Sequence, residues 1–238
     1  MMRPLRLALL ALAIIGFSGC ASISISDSVR SPKITLKQPK KIYVIDFEVP
    51  NRVLQVDRSH LDLEKFQKTL SDDLSKHLVQ RLDKRVLPAE RAKSLASLPQ
   101  GPAWAVTGRF ENVRQGSRLL RILVGIGEGK TTLETFVVVH DLSGKTPRAF
   151  FSFRTGGGSN MEGGAVFPLV TGAPLAAGFS VIGGVSAGLS VDTKRTARQI
   201  TAAISEEVDR NHLKTRKRVM HPKYKEMPPP LQLPTWVP

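Results

Sequence analysis

Leu133-Glu-Thr-Phe-Val-Val-Val-His-Asp-Leu142, then Ser143-Gly144-Lys145, then Arg148-Ala-Phe-Phe-Ser-Phe-Arg154 is the stretch that decides how this chain folds. Two runs rich in β-branched and aromatic residues read as strands. The connection between them, built around Gly144, reads as a compact hairpin turn, which makes the pair antiparallel. Just ahead lies Trp104-Ala-Val-Thr-Gly-Arg-Phe110, a third strand of the same kind, set off by the loop that Pro99, Gly101 and Pro102 enforce.

Further upstream, Lys41-Ile-Tyr-Val-Ile-Asp-Phe47 reads as a buried strand ended by Pro50 and Asn51. Ser59-His-Leu-Asp62 then has the spacing of a capping box. It opens a run in which Leu63, Phe66, Leu70, Leu74, Leu78 and Leu82 recur every three or four residues, which predicts an amphipathic helix over 60–82. Lys84 to Pro88 reads as a short strand, and Ala89 to Leu98 as a further helical turn or two. A second amphipathic helix follows Asp192, with Ala197, Ile200, Ala203, Ile204 and Val208 on one face. The order β-α-β-β-β-β, or β-α-β-β-β, followed by α predicts a single small α+β domain. Its two principal helices pack on one face of a mainly antiparallel sheet.

The chain opens with Arg3 and Arg6, an uncharged apolar run of eleven residues from Leu7 to Phe17, and Ser18-Gly19-Cys20. A bilayer-spanning helix needs roughly 20 apolar residues, so this run suits the core of a secretory signal. The pattern resembles the lipobox of bacterial lipoproteins, with cleavage after Gly19 and diacylglycerol added to Cys20; Phe17 stands where that pattern carries an aliphatic residue. By the same resemblance, Ala21 rather than aspartate after the lipidated residue implies the outer membrane of a Gram-negative envelope, with the protein facing the periplasm. A diacylglycerol and an N-acyl chain on Cys20 together imply stable anchoring, since a single chain is marginal.

Cys20 is the sole cysteine, so lipidation leaves no internal disulfide, no thiolate nucleophile and no cysteine-bound metal. Removing Arg3 and Arg6 with the leader leaves 33 basic against 20 acidic residues, a net charge of +13. Aromatics make up only 6% of the chain and do not interleave with the basic residues, which argues against nucleic acid. Anionic lipid headgroups, lipopolysaccharide phosphates or an acidic envelope protein are the expected partners, beside the alternative that the charge is a solubilising surface. Residues 1–19 are thus expected to be a signal and 20–40 a serine- and proline-bearing tether. An α+β domain over 41–213 holds a glycine-rich insertion at 156–191, and 214–238 is a basic, proline-rich tail without structure.

No catalytic constellation emerges. Gly125-Ile-Gly127-Glu-Gly129-Lys130-Thr131 invites a phosphate-loop reading, but Val124 stands where the first glycine belongs and the segment leads into a strand. Histidines 60, 77, 140, 212 and 221 are scattered without metal-site spacing. His140 beside Asp141 lacks any Gly-x-Ser-x-Gly partner. The chain is therefore expected not to be an enzyme and to use no metal or cofactor beyond the lipid.

The most unusual stretch past Cys20 is Gly163 to Val191, twenty-nine residues without a charge. Gly163, Phe167, Leu169, Val170, Leu175, Phe179, Val181, Ile182, Gly184 and Gly188 are its candidate interaction residues. The stretch reads as an apolar loop packed on the domain or a partner, as a segment entering a membrane or pore, or as an unstructured insertion.

Val106-Thr-Gly-Arg-Phe110, continuing through Leu119-Leu120-Arg121 and Val124-Gly-Ile-Gly-Glu-Gly-Lys130 into the strand Leu133 to Leu142, resembles the family called domain of unknown function 4410, over roughly residues 40–212. The resemblance implies a secreted or lipid-anchored bacterial protein and transfers no catalytic residue. The element order is also similar to that of accessory lipoproteins of transport and curli-type secretion systems. The expected function is binding or scaffolding, as an accessory component in envelope assembly or transport, with oligomerisation open. The alternative is a membrane-inserting oligomer that contributes residues 163–191 to an export conduit.

Overall fold

The computed structural model describes residues 22–31, 35–56, 60–115, 131–158 and 187–225. The central hairpin is as the sequence predicts. Strands β5 (Ala103–Arg114), β6 (Thr132–Asp141) and β7 (Arg148–Gly157) pair antiparallel in turn. Asp141 turns the chain after β6 by accepting from the backbone N–H and the hydroxyl of Ser143.

Strand β2 (Lys41–Ile45) lies parallel to β5 on its other side, and β3 (Leu54–Gln55) continues that pairing further along β5. Parallel β4 (Ala89–Ala92) closes one edge beside β2. At the other edge sits β1 (Ile23–Arg30), antiparallel to β7. The sheet order is β1-β7-β6-β5-β2-β4, a mixed sheet in an α+β fold, with the antiparallel pairs concentrated in the β1-β7-β6-β5 half.

Helix α1 (His60–Arg85) buries Phe66, Leu70, Leu74, Leu78 and Leu82 completely, the stripe that the periodicity marks. Each such side chain gains roughly 1.5–3 kcal/mol on leaving water. Helix α2 (Ala187–Arg210) buries Ala197, Ile200, Ala203, Ile204 and Val208. These residues share one core with Ile42, Val44, Trp104, Val106, Phe110, Val137, Phe151 and Phe153 of the sheet. The two helices pack against each other over this face of the sheet.

Four expectations need correction. Residues 20–40 are not a plain tether, because Ile23–Arg30 is a strand whose Ile23 and Ile25 enter the core while Ser24 and Ser26 take the other face. Lys84 and Arg85 prolong α1 instead of forming a strand; both are good helix formers. The strand comes later, at Ala89–Ala92, because Pro88 and the residues after it meet the free edge of β2, where Ile42 donates to the Pro88 carbonyl. The tail is ordered as far as residue 225. Arg216 and Lys217 donate to Val86 and Arg85, and the Lys223 carbonyl and Lys225 N–H bracket Ile25.

Candidate functional site

Alternation along β6 puts Leu133, Thr135, Val137 and Val139 under the helices and Glu134, Phe136, Val138 and His140 on the other face. No α-helix covers that second face among the described residues. At one end Leu95 and Leu98 shelter Tyr43, Ile45 and Ala105. Towards the other, the guanidinium groups of Arg109 and Arg154 lie 5.4 and 5.5 Å from the Phe136 ring centre, and both donate to Glu111. Arg154 also reaches Asp27 of β1 at 3.4 Å. The cluster ties β1, β5, β6 and β7 together, which is a structural role.

His140 and Asp141 point to opposite faces, so they form no catalytic pair. His140 Nε2 is 3.0 Å from Thr107 Oγ1, and burial pushes the imidazole below its ordinary value of 6.5. His77 is lowered too, first by burial and then by Lys194. A group whose folded-state pKa is depressed binds its proton more readily when unfolded, so stability is full above the unfolded value and falls as pH drops through the folded one. The melting temperature is therefore expected to decline between about pH 7.5 and about pH 5. His140→Gln is expected to flatten that decline, and an identical pH profile in the variant would show that His140 is not responsible.

Chain geometry gathers several ends at one pole of the sheet. Ile23 pairs with Gly157, and Arg114 with Thr132. Gly157 has φ 143°, and a Cβ there would lie 2.1 Å from the Ser22 carbonyl; one at Gly158 would lie 1.7 Å from that of Thr131, so neither position admits a side chain. Thr131 Oγ1 donates to Asp192 in the second turn of α2. The chain leading back to Cys20 thus departs from the pole where β5 and β7 end, and where β6 and α2 begin.

Beside that pole is a cavity of about 320 Å³, lined by Ser22 and Ile23 before and within β1, by α2, and by the C-terminal strap. Its polar lining is Ser22, Arg195, Arg198, Gln199, His221 and Lys223. Gln199 holds the strap in place by accepting from the Lys223 N–H at 2.8 Å. Neither Arg198 nor Lys223 makes an ion pair among the described residues. Burial and the neighbouring Arg198 and Arg85 push Arg81 of α1, outside the cavity lining, below its ordinary range.

Residues 42–157 match the model of the family described as Domain of unknown function (DUF4410). The similarity to that family covers just under half of the chain. It runs from β2 through β7 and stops before α2, short of the 40–212 that the sequence resemblance implied. The cavity therefore lies outside the matched residues, on β1, α2 and the strap. No curated protein matches the chain. Among solved structures, a PelC dodecamer from Paraburkholderia phytofirmans is similar at 12% identity and a TM-score of 0.40, covering 74% of this chain and 96% of that one. A hypothetical protein from Chlamydia trachomatis gives 10% and 0.38, over 70% and 95%. A putative neuraminyllactose-binding hemagglutinin homolog from Helicobacter pylori gives 16% and 0.29, over 52% and 67%. Scores this low transfer neither partner nor activity to this chain.

Cys20, Gly19 and the residues Gly163, Phe167, Leu169, Val170, Leu175, Phe179, Val181, Ile182 and Gly184 lie outside the described residues; Gly188 falls in the first turn of α2. No helix is long and apolar enough to cross a membrane, and no three His, Cys, Asp or Glu side chains gather for a metal, both among the described residues. Sequence reasoning missed Arg195, Arg198 and Lys223. Their local signal, two arginines three apart on the polar side of a helix, is common, and Lys223 sits in what reads as a tail.

Proposed function

We propose that this is a lipid-anchored periplasmic binding or scaffold protein of the outer membrane, an accessory component of envelope assembly or transport that acts without turnover. The observation that carries this reading is the gathering of chain ends at one pole. Ser22 is only two residues beyond Cys20, at most about 7 Å of extended chain, so an acyl anchor there would hold this pole against the bilayer. Gly158 and Asp192 of α2, which lie on either side of the charge-free stretch in sequence, both sit beside Thr131 at this pole and would face the same surface. The opposite pole, with the hairpin turn at Gly144, would point into the periplasm.

Cys20→Ala is expected to abolish incorporation of labelled palmitate and to shift the protein out of the outer-membrane fraction. Retention of label in the variant would sink the assignment. Crosslinking of the wild-type protein in its native envelope, followed by identification of what it holds, tests the scaffold role. Ring-shaped particles in detergent that vanish on deletion of residues 163–191 would favour the conduit reading instead.

A further inference from the structure

We infer that the basic cavity between β1, α2 and the C-terminal strap binds the phosphate of an anionic lipid headgroup in the membrane that the Cys20 anchor reaches. This deepens the lipid-anchored reading and rests on it for the choice of a lipid over a free phosphate. Three observations converge.

The first is chemical. Arg198 and Lys223 have no acidic partner among the described residues, and Arg195 has Nη1 buried without a hydrogen bond there, 3.5 Å from Asp192 Oδ1. Nearby acids are already engaged: Asp192 accepts from Thr131, and Glu206 from Tyr224 and Arg210. Arginine forks and a lysine ammonium around one space suit a phosphate, whose oxygens accept several charge-assisted hydrogen bonds at once. The Ser22 and Gln199 side chains line the same space and offer neutral polar contacts.

The second is shape. At about 320 Å³ the cavity has the size of a small-ligand site, and it is bounded by three separate segments and not by one helix face. The strap that forms its outer wall is pinned on both sides of Lys223, by Gln199 to its backbone N–H and by Ile25 to its carbonyl. The backbone that carries Lys223 is therefore fixed beside α2 before any ligand arrives, which lowers the entropy cost of binding. The third is position. The Ser22 wall is within two residues of Cys20, so headgroups of the anchoring leaflet are the phosphates within reach.

The test uses the mature chain from residue 20 with Cys20→Ser, which keeps every described element, and co-sedimentation with vesicles. Phosphatidylglycerol in phosphatidylcholine is the anionic probe, and pure phosphatidylcholine controls for apolar adsorption. The double variant Arg198→Glu/Lys223→Glu is expected to weaken binding to the anionic vesicles about thirtyfold or more. Both side chains are free of ion pairs among the described residues, and circular dichroism and melting temperature check that the fold persists. Lys93→Glu/Lys145→Glu changes net charge equally, at exposed sites away from the cavity, and is expected to bind as the parent does.

Equal loss in both double variants, or unchanged binding in the cavity variant, would overturn the inference. So would saturation of the cavity by inorganic phosphate alone with no competition from anionic vesicles, which would assign a free anion. Failure of palmitate labelling at Cys20 in cells would sink the lipid-anchor reading while leaving the vesicle result to stand, so the two failures are distinguishable.

Discussion

Ile25→Ala is expected to lower the unfolding free energy of the mature Cys20→Ser chain by about 2–5 kcal/mol, the range for a large aliphatic side chain deleted from a packed core. Ile25 is fully buried, pairs with Thr155 of β7, and anchors the C-terminal strap by donating to Lys223 and accepting from Lys225. If the stretch after Cys20 were a slack tether, the same substitution would change stability by less than about 0.5 kcal/mol, as surface changes do. Urea unfolding decides between them. Ser26→Ala, on the opposite face of the same strand, is the control and is expected to leave the midpoint unmoved. The outcome bears on function as well as fold, because a strand beginning at Ile23 leaves the domain almost no freedom to stand away from its anchor.

Why that strand escapes a reading of the sequence is instructive. Ile23-Ser-Ile25-Ser26 alternates apolar and polar residues as a half-buried strand should, but serines and prolines through to Pro39 give the composition of a linker. What selects the strand is the free edge of β7, which no local pattern announces. Ala89-Glu-Arg-Ala92 makes the same point from the other edge: none of its residues favours a strand, and pairing to β2 overrides propensity. By contrast, the leucine stripe of α1 and the hairpin around Gly144 depend on periodicity and turn chemistry within a few residues, and both are legible. The basic cavity belongs to the illegible class. Arg198 and Lys223 are distant in sequence, and they share a space only because Gln199 and Ile25 hold the strap against α2 and β1.

The start of α2 supplies the second large effect, because the sequence places the helix after Asp192 and the structure places Asp192 inside it. A residue preceding a helix would be a solvated cap, where asparagine replaces aspartate at little cost. Instead the carboxylate is completely buried, accepts from Thr131 Oγ1 at 2.5 Å, and lies 3.5 Å from Arg195 Nη1. It fastens the first turns of α2 to the start of β6 at the pole described above, and its charge near the helix N-terminus is favourably placed against the helix dipole. Asp192→Ala strands a buried hydroxyl and loosens an arginine, and is expected to cost about 2–3 kcal/mol, the range for hydrogen bonds to charged groups. Asp192→Asn is expected to recover only part of that, since it keeps an acceptor but loses the charge that faces Arg195. Thr131→Val in a double-mutant cycle with Asp192→Ala is expected to show a coupling of about 1 kcal/mol or more. Additive losses within about 0.5 kcal/mol would mean that the two residues do not act on each other, and that α2 is held to the sheet by its apolar face alone. Hydrogen exchange gives a local readout: amides at the start of α2 are expected to exchange faster in the variant, while those around Ile204 and Val208 stay protected until the whole domain opens.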